Sequence, residues 1–256
     1  MQSVHFDPEL LDILRSARHV AAFTGAGVSA ESGIPTFRDA QTGLWAKYRA
    51  EDLATPEAFR RDPATVWNWY AWRRELMREV KPNPGHLAIA ALERLVPRVT
   101  VITQNVDGLH AQAGSTEVIE LHGNIWHNLC VDCRAPAPEA ALGEGAPPAC
   151  PHCGGYIRPG VVWFGESLPA AAWTRAAEVL ETSDVFFCIG TSSLVEPAAS
   201  LPRYARSCGR TVIQINPEAT GHDEIAHYVL RGKSGEVLPA LLKAAWPRAG
   251  RARLPS

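Results

Sequence analysis

Five short runs of β-branched and aliphatic residues, Val20–Thr24, Val99–Thr103, Val118–Leu121, Val185–Ile189 and Val212–Ile215, recur along the chain with helix-like stretches between them. Their apolar character is nearly continuous and does not alternate with polar positions, the pattern of strands covered on both faces. The intervening segments Phe6–Ser16, Pro84–Leu95, Leu168–Glu181 and Glu236–Ala245 place apolar residues at helical spacing, with Pro8 and Pro84 in first turns. The fold class that follows is α/β, built on a parallel sheet. With 256 residues and 46% hydrophobic composition, the chain can bury a full core as one domain carrying insertions.

Two segments break the alternation. Arg38–Lys81 is poor in strand signals and rich in Trp and Arg, and Trp126–Pro159 reads as loop and holds four of the six cysteines. Both are expected as insertions that form a second lobe over the sheet edge, with Ala135–Ala149 an irregular Pro, Ala and Gly-rich loop. A formal net charge of −2 excludes affinity for nucleic acid or anionic membrane driven by bulk electrostatics. No apolar run approaches the ~20 residues of a membrane-spanning helix. Asp7, Pro8, Glu9 and Asp12 interrupt Met1–Leu14 in a way that fits neither a secretory core nor a transit peptide, so the expected location is cytoplasmic. Pro247–Ser256, with Arg248, Arg251 and Arg253 and little to bury, is expected as a disordered tail.

The run Val20–Thr24 leads into Gly25-Ala26-Gly27-Val28-Ser29-Ala30, the G-x-G-x-x-G/A spacing of a dinucleotide loop. Gly25 permits the tight turn, Gly27 lets a pyrophosphate approach the backbone, and the following helix start offers amide hydrogens to negative charge. The acidic residue expected about 20 positions on, closing a second strand, is absent from that context. Pro35 ends any helix soon after Gly33, so Gly33–Asp39 is expected to be a loop. That departs from a dehydrogenase and points to a different use of NAD.

The full run Gly25-Ala-Gly-Val-Ser-Ala-Glu-Ser-Gly-Ile-Pro-Thr-Phe-Arg-Asp39 resembles the signature of sirtuins, the NAD-dependent protein deacylases. Thr103-Gln-Asn-Val-Asp-Gly-Leu-His110, Leu121-His-Gly-Asn124 and Gly190-Thr-Ser-Ser193 followed by Asn216-Pro-Glu218 resemble its further motifs in the same order. The resemblance implies a Rossmann-like sheet domain for NAD over residues 1–38, 84–125 and 160–246. A small inserted lobe would combine a helical module, 39–83, with a zinc-binding module, 126–159, and acyl-lysine would enter between them.

It further implies that Gly25, Ala26, Gly27, Ser29 and Ala30 hold NAD, with Phe37 and Arg38 closing over it. Gln104, Asn105 and Asp107 would border the nicotinamide and its ribose. Gly190, Thr191 and Ser192 follow a strand and offer backbone and hydroxyl hydrogen bonds to phosphate. Asn216 and Glu218 would meet the adenosine ribose, and Gly232, Lys233 and Ser234 the adenine. His122 would be the catalytic base, assisted by Asn105, because a neutral imidazole near pH 7 can take a proton from a ribose hydroxyl. In the implied mechanism the acyl oxygen attacks the anomeric carbon and releases nicotinamide. The resulting alkylimidate is then attacked by the activated ribose hydroxyl, giving free lysine and O-acyl-ADP-ribose. His110 is read as structural, and His127 and His152 as incidental neighbours of the cysteine loop.

Cys130-x-x-Cys133 and Cys150-x-x-Cys153 are separated by sixteen residues, 134–149, inside the spacing of a four-cysteine zinc site. A closed shell of four sulfurs leaves no position for water, so such a metal is structural. Disulfides are the competing reading, disfavoured by a cytoplasmic setting. Cys188 and Cys208 read as buried or incidental thiols.

Tyr70 and Arg73 lie three apart in Val66-Trp-Asn-Trp-Tyr-Ala-Trp-Arg73, on one face if that segment is helical. The pair resembles the Tyr-x-x-Arg of sirtuins that prefer succinyl, malonyl or glutaryl lysine, and Ala54 resembles the small residue that widens their pocket; removal of acetyl is expected as well. The bland alternative is an amphipathic helix with Arg73 on its solvated face. Val161-Val-Trp-Phe-Gly-Glu166 resembles the family's substrate strand, where an acylated peptide would pair between Val162 and Gly165–Glu166. Two rival readings use the same residues: mono-ADP-ribosyl transfer, and a zinc-ribbon scaffold that senses NAD without turnover.

Overall fold

The computed structural model describes residues 6–34, 48–138, 146–192 and 194–247. Along the chain the elements are α1 Pro8–Ser16, β1 His19–Thr24, α2 Ala26–Ala30, α3 Ala50–Leu53, α4 Pro56–Arg61, α5 Pro63–Arg78 and α6 Pro84–Leu92. They continue as β2 Arg98–Thr103, α7 Leu109–Gln112, β3 Val118–Glu120, β4 Gly123–Cys130, β5 Ile157–Val161 and α8 Ala170–Thr182. The last are β6 Val185–Ile189, α9 Leu201–Ser207, β7 Thr211–Asn216, β8 Tyr228–Arg231 and α10 Ser234–Ala245.

Six strands pair in the order β3-β2-β1-β6-β7-β8, and every pairing among them is parallel. Residues on alternate positions go to opposite faces, as strand geometry requires. Val20, Ala22, Val101, Phe187 and Ile213 pack against α1, α6 and α10, while Ala21, Phe23, Ile102, Phe186 and Val212 pack against α8 and α9. Both faces are covered, which accounts for strands that read as continuously apolar. All six residues of β1, at the centre, are buried.

Each of the five apolar runs is a strand of this sheet, and each helical stretch is a helix with ends shifted by a few residues. β8 carries a weaker signal: it is a four-residue edge strand, half-buried on one side and exposed on the other. The cysteine-bearing segment is less loop-like than its sequence suggests, because β4 and β5 form a two-stranded antiparallel sheet that flanks it. Arg38–Lys81, over its described part, consists of α3, α4 and α5, with Thr55 and Asp62 capping the last two. These helices share a separate apolar cluster with Ile125, Val161 and Trp163, built around Trp69 and Phe59. Phe37, Arg38 and residues 248–256 lie outside the described residues.

Candidate active site

The sheet order reverses between β1 and β6, the position at which open α/β sheets meet ligands beyond the carboxyl ends of their strands. Gly25 and Gly27 follow β1, and Gly190 follows β6. Their backbones are pressed together: a Cβ on Gly27 would lie 2.8 Å from Gly190 Cα and 2.8 Å from its carbonyl oxygen. The Gly27 amide donates to that same oxygen at 2.8 Å. The space freed by Gly27 is therefore filled by Gly190, and its amide is engaged within the protein. Close approach of these two loops demands glycine here.

Below this junction lies a connected polar floor. Ser29 Oγ donates to Asp107 Oδ2 at 2.7 Å, and Asn105 Nδ2 donates to Ser29 Oγ and to the Gly25 carbonyl, both at 3.0 Å. Leu109 N–H holds the other Asp107 oxygen at 2.9 Å. Burial pushes the Asp107 carboxyl above its usual range, and these two donors pull against that shift.

A histidine outside every motif block supports the floor. His86 sits at the third position of α6, where Asn83 caps the helix and the Asn83 amide donates to His86 Nδ1 at 3.4 Å. Accepting there puts the neutral ring's proton on Nε2, which faces Ser29 Oγ at 3.4 Å. The Asn-x-x-His spacing of a capping box was the signal available for it. His110 packs its ring 4.8 Å from that of His86 and reaches Thr24 Oγ1 at 2.9 Å. Burial holds His86 down at about 4 and His110 at about 3.

His122 follows β3 at the same edge. Its Nδ1 lies 2.9 Å from the Gln104 carbonyl oxygen, which can only accept, so Nδ1 carries the proton and Nε2 a lone pair. Burial lowers its pKa, against a smaller opposing effect of that hydrogen bond. Gln104 Nε2 donates to Thr191 Oγ1 at 3.0 Å, and Asn216 Nδ2 to the Thr191 carbonyl at 3.0 Å. A continuous polar chain thus runs from the end of β7 to the imidazole. Ala26, Ala30, Ser192 and Glu218 are exposed around the rim. Ser234 is instead buried, with its hydroxyl given to Glu31 Oε1 at 2.7 Å.

The remaining residues belong to α3, α5 and the segment after β5. Tyr70 is buried on α5 and accepts from Trp163 Nε1 at 3.0 Å. The Arg73 guanidinium lies 5.1 Å from the Trp69 ring centroid, and burial lowers its pKa. Ala54 is buried, and its carbonyl accepts from Phe164 N–H at 2.9 Å. The Val162 amide donates to the His122 carbonyl at 2.8 Å, so the segment after β5 is tied both to the loop after β3 and to the end of α3. Gly165 is exposed, and the Glu166 carboxylate is bound by Arg158 and by Trp163 N–H.

The four sulfurs of Cys130, Cys133, Cys150 and Cys153 lie within 4.8 Å of one another. Two of their separations are 3.5 and 3.8 Å, beside the roughly 3.8 Å between ligands of a tetrahedral Zn–thiolate centre. Each Cys-x-x-Cys is followed by a left-handed residue, Arg134 at φ 60° and Gly154 at φ 79°, so the two turns repeat one geometry. The donor set fits zinc.

Residues 25–197 match the Sir2 family. The chain belongs to the Sir2 family. It is 54% identical over 249 residues to a protein of Methylococcus capsulatus named NAD-dependent protein deacylase, covering 94% of this chain and 98% of the relative. A second relative, NAD-dependent protein deacylase 2 of Pyrobaculum aerophilum, is 53% identical, covering 91% and 93%. Among solved structures, a Sir2 homologue in complex with NAD superposes with a TM-score of 0.87 at 46% identity, over 96% of both chains. A Sir2 variant with a deacetylated p53 peptide and 3′-O-acetyl ADP ribose gives 0.80 at 32%, over 92% of this chain and 97% of the other.

As a Sir2 protein the chain gathers Ser29, Asn105, Asp107, Gln104, Thr191, Asn216 and His122 at one sheet edge, while Tyr70 and Arg73 lie on α5 and Ala54 at the end of α3. Sequence reasoning passed over His86, Glu31, Arg158 and the individual role of Trp163. His86 carried a local signal in its capping box with Asn83, whereas the partners of Glu31 and Trp163 lie 203 and 93 residues away.

Proposed function

We propose that this Sir2 protein is an NAD-dependent protein-lysine deacylase whose pocket favours acyl groups ending in a carboxylate, succinyl and malonyl above all, and that it also removes acetyl. The observation that supports the carboxylate preference is the Tyr70 and Arg73 pair on α5. A guanidinium in an aromatic cluster, beside a phenol, can receive an anion, since both groups can donate hydrogen bonds to one carboxylate. The acetyl methyl offers neither group a partner.

Bound NAD would supply an anomeric carbon from which nicotinamide is displaced by the acyl oxygen. Ser29, Asn105 and Asp107 would hold the nicotinamide end in one orientation, fixed by their mutual bonds. His122 would take a ribose hydroxyl proton at Nε2, its Nδ1 being committed to Gln104. Gly190, Thr191 and Ser192 would meet phosphate, and Asn216 and Glu218 the far ribose. Val162 and Gly165–Glu166 would receive the peptide backbone. Cys130, Cys133, Cys150 and Cys153 would hold one structural zinc that keeps the β4–β5 module folded. A cytoplasmic location, where thiolates stay available to a metal, belongs to the same proposal.

The test incubates protein and NAD with succinyl-, malonyl- or acetyl-lysine peptide and follows nicotinamide release together with peptide mass. Arg73→Met is expected to lower desuccinylation relative to deacetylation by roughly tenfold to a hundredfold, the worth of a charge-assisted hydrogen bond. Equal loss toward both would overturn the carboxylate reading. Nicotinamide release without loss of the acyl group would favour ADP-ribosyl transfer.

A further inference from the structure

Tyr70 has its hydroxyl held by a neighbour. Trp163 Nε1–H donates to Tyr70 Oη at 3.0 Å, with both residues buried. An indole nitrogen can only donate. The contact therefore occupies a lone pair of Oη and directs the phenolic proton toward some other acceptor.

Trp163 is itself held on several sides. Arg158 Cζ lies 3.2 Å from the indole centroid, and the Phe59 ring lies 5.2 Å away. The Arg158 guanidinium donates to Glu166 Oε1 at 2.5 Å, to Oε2 at 2.9 Å, and to the Val161 carbonyl at 2.8 Å. Glu166 Oε2 in turn accepts the Trp163 amide at 2.8 Å. Arg158 and Trp163 are each 3% exposed. With Arg158 buried and Glu166 only half-buried, the ion pair adds little net stability over apolar packing of the same volume. What it does in this position is hold one ring in one orientation, with its N–H aimed at Tyr70.

We propose that Trp163 is the positioning residue behind selectivity for acyl groups ending in a carboxylate, because it fixes Tyr70 as a hydrogen-bond donor into the pocket. The inference rests on the reading of Tyr70 and Arg73 given above. A carboxylate accepts only, so it complements a phenol whose proton the indole leaves to another acceptor, with a guanidinium beside it. Burial pushes Tyr70 up to about 12, so the phenol remains a donor throughout the working pH range.

Trp163→Phe keeps an aromatic ring for Arg158 to stack on and removes the N–H. The readout is kcat/KM for succinyl- and acetyl-lysine forms of one peptide, expressed as a ratio. We expect the ratio to fall roughly five- to tenfold, mostly through KM for the succinyl peptide, the worth of one hydrogen bond. In a Tyr70→Phe background the same substitution should move the ratio less than about twofold, since no hydroxyl remains to orient. A full-sized effect in that background would mean lost packing and would overturn the proposal. So would an unchanged ratio in Trp163→Phe when Arg73→Met does shift it, and that outcome leaves the carboxylate reading standing. If wild type shows no succinyl preference and Arg73→Met changes nothing, the carboxylate reading falls and this inference with it. Trp163→Met gives the same comparison should the phenylalanine variant fail to fold.

Discussion

His122 Nδ1 is bonded to the backbone carbonyl of Gln104, and Gln104 is bonded through its side chain to Thr191. The loops after β2 and β6 therefore set the tautomer and the aim of the imidazole together. Burial lowers the His122 pKa below its ordinary 6.5, so the neutral, proton-accepting form prevails at neutral pH. A base works only when unprotonated. Activity should therefore be constant near pH 7 and fall as pH drops through a value below 6.5, a limb that a profile of kcat/KM would show. His122→Ala should lose on the order of a hundredfold to ten-thousandfold. Retention of wild-type turnover would remove His122 from the reaction.

Gly27→Ala should destabilise the protein by about 1–3 kcal/mol, as overpacking of a filled site does. The added methyl meets the Gly190 main chain, which sits at φ 59° and has no flexible side chain to turn aside. Urea unfolding checks the loss, and a wild-type midpoint would show that the two loops part without cost.

Zinc content should be one ion per chain. The apolar cluster behind the cysteines is small, Ala137 and Ile157 with Trp67 against them, and is too little to order the turns without metal. Verified metal removal, or Cys133→Ser, should lower the melting temperature and abolish activity. Full activity with an unchanged melting curve would exclude a structural metal.

His86 and His110 are neutral in the folded state down to about pH 4 and about 3, whereas in the unfolded chain they titrate near 6.5. Below 6.5 the unfolded state binds more protons, so stability present at neutral pH is lost as the solution is acidified from 6.5 toward 4. The slope is up to about 1.4 kcal/mol per pH unit for each histidine. Unfolding free energies at pH 7 and pH 5 should differ less in His110→Gln than in wild type; an unaltered difference would place the loss elsewhere, for instance in carboxylates.

Much of the architecture was legible in the chain because it is encoded locally. Strand and helix periods, Pro8 and Pro84 in first turns, and the two Cys-x-x-Cys turns each depend on a few neighbouring residues. β8 was missed because an edge strand buried on one face only has half the apolar signal of a central one. The β4–β5 pair was missed because its register is set by its partner, with Gly123 opposite Val161.

The residues of the candidate site could likewise be named from their motifs, but the contacts that hold them could not. Gly27 is glycine on account of Gly190, 163 positions later by residue number. Glu31 caps the start of α10 through Ser234 and the Gly235 amide, with no counterpart nearby in the chain. Trp163 reaches Tyr70 across 93 residues. The sequence by itself determined a covered parallel sheet, where its loops would meet a ligand, and a four-thiol cluster, since period, turn chemistry and spacing are properties of short segments. Only the tertiary structure decided which backbones collide, which proton points where and which charges are buried together. Those depend on packing between segments that share no local signal, and they exist only once the sheet has brought the loops to one edge.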